Sequence, residues 1–197
     1  MARPRSFEPS EALSHILNVF WEKGYEGASL QDLEAATGLN KQSLYRAFGD
    51  KRAMYLAALD MYERTEIACG ADLLRQKGTA AERIQRLFED AIRHLTEGHD
   101  RRGCFVGNAS VDQASLDAET ETRVRNILRR LQEAIESALA VSPPYDEDVA
   151  LRRRRAMALL AGYMGLRVLI KVGMGPAELR DVMDATLAPI RQGEGQS

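Results

Sequence analysis

The stretch from Ser29 to Arg52 constrains the fold of this chain more than any other. Ser29 precedes Asp32 by three residues, a capping-box pattern that opens a helix. Leu30, Leu33 and Ala36 give that helix an apolar stripe. Gly38 is placed to take the left-handed conformation that ends it, and Asn40 is a good N-cap for the next helix. A further helix is predicted from Lys51. Two short helices joined by a tight glycine turn form a helix-turn-helix, whose second helix, over Asn40–Phe48, is the one that enters a DNA groove.

That helix divides cleanly by face, since successive residues turn by about 100°. Lys41, Gln42, Tyr45 and Arg46 fall on one side, and Ser43, Leu44, Ala47 and Phe48 on the other. The second face is expected to pack on a core. The first carries two cations, an amide and a phenol, groups suited to phosphates and base edges in a major groove.

A net charge of −2 is unusual for a DNA binder until it is resolved along the chain. Lys41, Arg46, Lys51 and Arg52 stand against Asp50 alone, and Arg3 and Arg5 lie at the N-terminus. Between Ser6 and Asn40 six acids face only Lys23. Positive charge is concentrated where DNA would lie, and the field at the contact surface decides association. Met1–Ser10 lacks the apolar core of a secretory signal, and no run reaches the roughly 18 apolar residues of a membrane span. Cys69 and Cys104 do not make a disulfide framework. A cytoplasmic location is expected.

The remaining periodicity is helical. Pro9 suits a first helical turn and Leu13, Ile16, Leu17 and Phe20 follow at helical spacing, with Gly24 as the stop. A long helix is predicted from Lys51 to about Lys77, with Gly70 a weak point. Thr79 and Glu82 form a second capping box, opening a helix to about Glu97. Further helices are predicted from Gly103, over Asp117–Ala140, over Asp146–Val172 and from Pro176 to about Arg191. With no convincing strand, the expected fold is all-α. The last two helices carry surplus apolar surface. Leu159, Leu160, Tyr163, Met164, Leu166, Val168, Leu169, Ile170 and Val172 cover more than one face of the penultimate helix. Leu179, Val182, Met183, Thr186, Leu187 and Ile190 form a coiled-coil-like seam on the final one. A symmetric homodimer through these two helices is the reading, with a single large intrachain core as the alternative. The Arg152–Arg155 run is expected to be a solvated rim, because consecutive helical residues point in different directions.

Phe20-Trp21-Glu22-Lys23-Gly24-Tyr25, Ser29-Leu30, Ala36-Thr37-Gly38-Leu39, Ser43-Leu44-Tyr45 and Phe48-Gly49-Asp50-Lys51 together resemble the DNA-binding region of TetR-type transcriptional regulators over residues 8–60. The resemblance implies a helix-turn-helix domain over residues 1–53 and a larger helical ligand-binding and dimerisation domain over 54–197. It implies a homodimeric repressor released from its operator by a small molecule. Carried over by position, Ser29, Tyr45 and Lys51 match phosphate contacts, and Lys41, Gln42 and Arg46 match base-reading positions. Arg3 and Arg5 could reach an adjacent groove as an arm.

In the second domain, Cys104 follows Gly103 at a predicted helix start, a setting that favours a thiolate, with Arg101, Arg102 and Lys171 as nearby sources of positive charge. Arg102-Gly103-Cys104 and Gly165-Leu166-Arg167 loosely resemble a subgroup of the family in which a cysteine here responds to electrophiles. Cys104 is thus a candidate sensor or a small packing residue. Tyr62, Phe88, Phe105, Asn108, Tyr163, Met164, Arg167 and Lys171 are candidate pocket-wall residues, and Cys69 reads as packing. His15, His94 and His99 lack metal-ligand spacing, so no metal and no cofactor is expected. No phosphate loop, dinucleotide glycine motif, zinc-protease motif or nucleophile elbow is present, which counts against a helical enzyme. A dimeric sensor without DNA binding is the other alternative, and the complete recognition helix argues against it.

Overall fold

The computed structural model describes residues 8–194. Arg3 and Arg5 lie outside the described residues. Within them the chain is helical and contains no strand. In order, the elements are α1 (Pro9–Gly27), α2 (Leu30–Thr37), α3 (Lys41–Phe48), α4 (Lys51–Tyr62), a π-helical turn (Glu63–Ile67), α5 (Ala68–Arg75), α6 (Ala80–Gly98), α7 (Phe105–Asp112), α8 (Ala118–Leu139), α9 (Val149–Val172) and α10 (Pro176–Glu194). They form two compact units. One is built from the chain up to Thr65 with Asn108–Val124, the other from Glu66–Gly107 with the chain from Arg125 onward.

The first unit is organised around α1 packed on α4 and α2. Ile16, Phe20, Leu33, Leu44, Met54 and Leu59 are fully buried, the apolar positions that the helical spacing selects. Regular helix stops at Gly24, which has φ of 72°. Without a Cβ, glycine takes this conformation at no steric cost. Ser29 caps α2 through a complete capping box with Asp32, Gly38 ends it in the left-handed region, and the Asn40 side chain accepts the Ser43 N–H to cap α3. Leu44 is the fully buried anchor of α3, with Ser43 and Phe48 half-buried beside it. Ala47, expected on the packed face, is exposed. Ala47 lies about 60° around the helix from Leu44, at the edge of the packed face. The segment leading into α8 is pinned to α4 by ion pairs. Arg52 reaches Asp117 and Glu119 at 2.7 and 2.9 Å, and Arg123 bonds Asp60 and Glu119.

In the second unit, α6 presents Ile84, Leu87, Phe88, Ala91 and Ile92 to a core shared with α9 and α10. Thr79 opens α6 through the expected capping box. The long helix from Lys51 is interrupted at Glu63–Ile67 rather than at Gly70. Gly70 is buried where an added Cβ would lie 3.0 Å from Leu87 Cδ1, so it lets α5 approach α6 closely. Leu179, Met183, Leu187 and Ile190 are buried within their own chain, with Val182 packed at the edge of that core. Thr186 fills the space above Gly162 of α9. Spacing of this kind is equally suited to intrachain packing.

Candidate nucleic-acid interface and effector cluster

The face of α3 opposite Leu44 is open. Lys41, Gln42, Tyr45 and Arg46 are all exposed, with Tyr45 40% accessible despite its ring. Lys41 Nζ lies 5.4 Å from the centre of the Tyr45 ring, which aligns two of the four groups. The start of the helix is fixed twice, by Asn40 on Ser43 N–H at 2.9 Å and by Glu34 Oε1 accepting the Lys41 N–H at 2.6 Å. Glu34 thereby ties α2 directly to the first residue of α3. Its partner is seven residues away across the glycine turn, and no short motif signals it.

The candidate phosphate contacts sit in distinct settings. Ser29 Oγ donates to Asp32 Oδ2 at 2.7 Å and accepts the Asp32 N–H at 3.1 Å, so its proton is engaged in the cap. Lys23 completes this network at 2.5 Å, and its hydrogen bond to Asp32, with those from Ser29, holds the Asp32 carboxyl far below the usual range. Lys51 opens α4 after Asp50, whose carboxylate accepts the Ala53 N–H at 2.8 Å. That carboxylate occupies the helix start to which an anion would otherwise be drawn. Lys51 Nζ lies 4.6 Å from the centre of the Tyr25 ring. Arg52, counted in the sequence as part of the basic face, is instead engaged by Asp117 and Glu119. Its acidic partners lie 65 and 67 residues away and give no local signal.

Several candidate effector residues gather in the second unit. Cys104 is buried just before α7, and its Sγ accepts the Gly107 N–H at 3.4 Å, the position of a helix cap. A Cβ on Gly107 would lie 2.9 Å from Met164 Cε and 3.4 Å from Cys104 Cβ, so α7 and α9 meet closely here. Tyr163 stacks edge-on against Phe88 at 5.4 Å, and burial pushes its phenol up to about 12. Arg167 Nη2 donates to the Gly103 carbonyl at 2.5 Å, and the Lys171 stem lies alongside Gly103. Phe105 is buried at the first turn of α7. Tyr62 and Asn108 belong to the first unit, where Tyr62 packs edge-on against Trp21 at 5.0 Å. Of the expected positive neighbours of Cys104, Arg102 pairs with Asp100 at 2.8 Å, while the Arg101 guanidinium lies over Gly173. Cys69, expected to pack, is exposed on α5. Partial burial and the charges of Asp90, Glu66 and Asp72 push its thiol up, which disfavours the reactive thiolate.

The sequence model of the family described as "Bacterial regulatory proteins, tetR family" matches residues 12–58. Over 193 residues the chain is 28% identical to YezE, an uncharacterised HTH-type transcriptional regulator of Bacillus subtilis (strain 168), covering 95% of this chain and 98% of that protein. It is 33% identical over 104 residues to the HTH-type transcriptional repressor BdcR of Escherichia coli (strain K12), covering 53% of each. Among solved structures, a cysteine-substituted variant of the TetR family regulator CifR, complexed with 26-base-pair operator DNA, superposes with a TM-score of 0.76. That pair is 27% identical, covering 94% of this chain and 98% of the other. Among the described residues, no helix is long and apolar enough to cross a membrane.

Proposed function

Because the chain belongs to the TetR family of bacterial transcriptional regulators, we propose that it represses transcription from the cytoplasm as a homodimer whose α3 helices read successive half-sites of an operator. Residues 1–53 read DNA, residues 54–197 bind the effector and dimerise, and no catalytic step is part of the function. The carrying observation is the exposed set Lys41, Gln42, Tyr45 and Arg46, held on a helix with a capped start and the buried anchor Leu44. Tyr45, Lys51 and Ser29 take phosphates, the last by exchanging its Asp32 partner. Lys41, Gln42 and Arg46 meet base edges.

Support for the dimer comes from α9. Met157, Ala161, Gly165, Val168 and Val172 recur every three or four residues and are all exposed. Three of them are large apolar side chains 53–66% accessible, and an added Cβ on Gly165 would meet nothing within 4 Å. An apolar stripe with small residues at its centre suits close approach of a second helix.

The effector binds at Cys104, Phe88, Tyr163, Met164 and Arg167. The Cys104 thiol is the nucleophilic group of this cluster, fixed by the Gly107 N–H at the start of α7, so an electrophile that alkylates it is the favoured effector class. Retention of genomic fragments by purified, reduced protein at two salt concentrations, followed by sequencing, tests the regulator reading. A few fragments sharing a near-palindrome are expected, and no enrichment from ligand-stripped protein refutes it. Cys104→Ser is expected to abolish release by thiol-reactive compounds. An unchanged response in that variant removes the thiol from the mechanism.

A further inference from the structure

Lys51, a candidate phosphate contact, rests its charged end on an aromatic face of another element of the unit. Its Nζ lies 4.6 Å from the centre of the Tyr25 ring. That ring is fixed in turn. It stacks on Phe20 at 6.2 Å and 14°, and meets Tyr55 edge-on at 5.1 Å and 70°. Phe20 and Tyr55 also meet edge-on at 5.1 Å, and both are buried. Gly24 makes this possible. Its φ of 72° breaks α1 one residue before Tyr25 and turns the chain. A cation over a ring face is attracted by the ring quadrupole. A lysine otherwise loses considerable rotamer freedom when it is fixed on a phosphate.

We infer that Tyr25 is a positioning residue for DNA binding: its ring, held by Phe20 and Tyr55, pre-orders the Lys51 ammonium toward the DNA backbone. The inference rests on the reading of Lys51 as a phosphate contact. A lysine already gathered onto a fixed ring gives up less freedom on meeting DNA than one free in solvent, so the gain appears as affinity for any duplex sequence. Tyr25 itself makes no base contact in this arrangement.

The test uses the full chain and a mixed-sequence DNA duplex, because a phosphate contact does not depend on the operator. Lys51→Ala is expected to weaken binding severalfold and to lower the salt slope by about 1. Tyr25→Phe keeps the ring face and is expected to bind within about twofold of the parent. Increasingly fluorinated phenylalanines at position 25 keep the shape but drain the ring quadrupole. With Lys51 present, affinity is expected to fall stepwise to about a third, the size of an exposed cation–π contact. With Lys51→Ala in the background, the same series is expected to be flat. Circular dichroism melting checks that each variant is folded.

No change on Lys51→Ala refutes the phosphate role of Lys51, and the inference with it. Weakening on Lys51→Ala, together with a fluorination series that is flat in both backgrounds or falls equally in both, overturns the role of the ring alone. Tighter binding on fluorination shows that the ring holds the lysine away from DNA, and this too overturns it.

Discussion

Gln42 and Gly103 carry different kinds of demand, one on recognition and one on backbone geometry. Gln42 is exposed on α3 beside Lys41, where its amide can pair with a single base edge. Gln42→Ala is expected to relax discrimination at one or two base positions by about 1–3 kcal/mol, with little change in affinity for random DNA. Selection from a randomised duplex pool reads this directly, and an unchanged consensus refutes the assignment of the reading face. Gly103 has φ of 72°, and a Cβ there would lie 2.9 Å from the Arg167 carbonyl oxygen, a backbone atom that cannot move alone. Gly103→Ala therefore combines a strained conformation with a clash. A loss of about 1–3 kcal/mol is expected, in the range of such backbone strain. A urea midpoint indistinguishable from that of the parent would show that the α7 start relaxes freely. The same substitution displaces the Arg167 hydrogen bond and the approach to Cys104, so it is expected to blunt the effector response as well.

At the level of elements, capping and salt links decide how firmly the reading helices are held. Ser29→Ala removes one half of the α2 capping box and is expected to cost about 1 kcal/mol, measured by thermal or urea unfolding. No loss would mean that Asp32 and Lys23 sustain the cap without the hydroxyl. Asp117 joins the start of α8 to α4. The hydrogen bond from the Thr120 hydroxyl, then that from Arg52, holds its carboxyl down to about 2, against an ordinary value of about 3.9. A depressed carboxylate contributes stability that is fully present above the ordinary value. It is lost as pH falls from about 4 through 2. The pair is partly open to solvent, which screens it and makes the contribution small, so the carboxyl resonance is a better reporter than global unfolding. Arg52→Ala is expected to move the Asp117 midpoint upward in an NMR titration, and an unmoved midpoint assigns the depression to Thr120 alone. The two capping boxes, the Gly38 turn and the Asn40 cap are legible in the sequence because each is a signal contained within three or four residues. The Arg52–Asp117 link and the Glu34 bond to Lys41 are not, since each joins groups brought together only by the fold. The misplaced break at Gly70 has the same origin. A glycine weakens an isolated helix, but here its missing side chain admits Leu87 of α6. The candidate effector residues are legible as a set only in part. Their aromatic and thiol chemistry is visible in the sequence, but assigning them to compact units requires the fold.

For the whole molecule, the same ambiguity of periodicity bears on assembly. Leu179, Met183, Leu187 and Ile190 have the spacing of a dimer seam but are used within one chain, so the second copy must be met chiefly by residues left outside. Met157, Val168 and Val172 of α9 are exposed apolar residues of this kind and form the proposed contact surface. A carboxylate introduced there leaves the core of its own chain undisturbed, yet on dimerisation it would be buried in an apolar interface against its own symmetry mate. Val168→Asp with Met157→Asp is therefore expected to leave the helical content and melting of the subunit largely intact and to yield a monomer in sedimentation equilibrium. Operator affinity should fall much further than affinity for random DNA, because each half-site contact survives while the second head is no longer carried at a fixed spacing. A variant that remains dimeric locates the interface elsewhere, and a monomer with undiminished operator affinity separates dimerisation from DNA reading. Since the stripe and Arg167, the donor to the Gly103 carbonyl, lie on the same helix, a dimer-breaking variant that also loses its response to thiol-reactive compounds would place effector sensing and dimerisation under one shared element, α9.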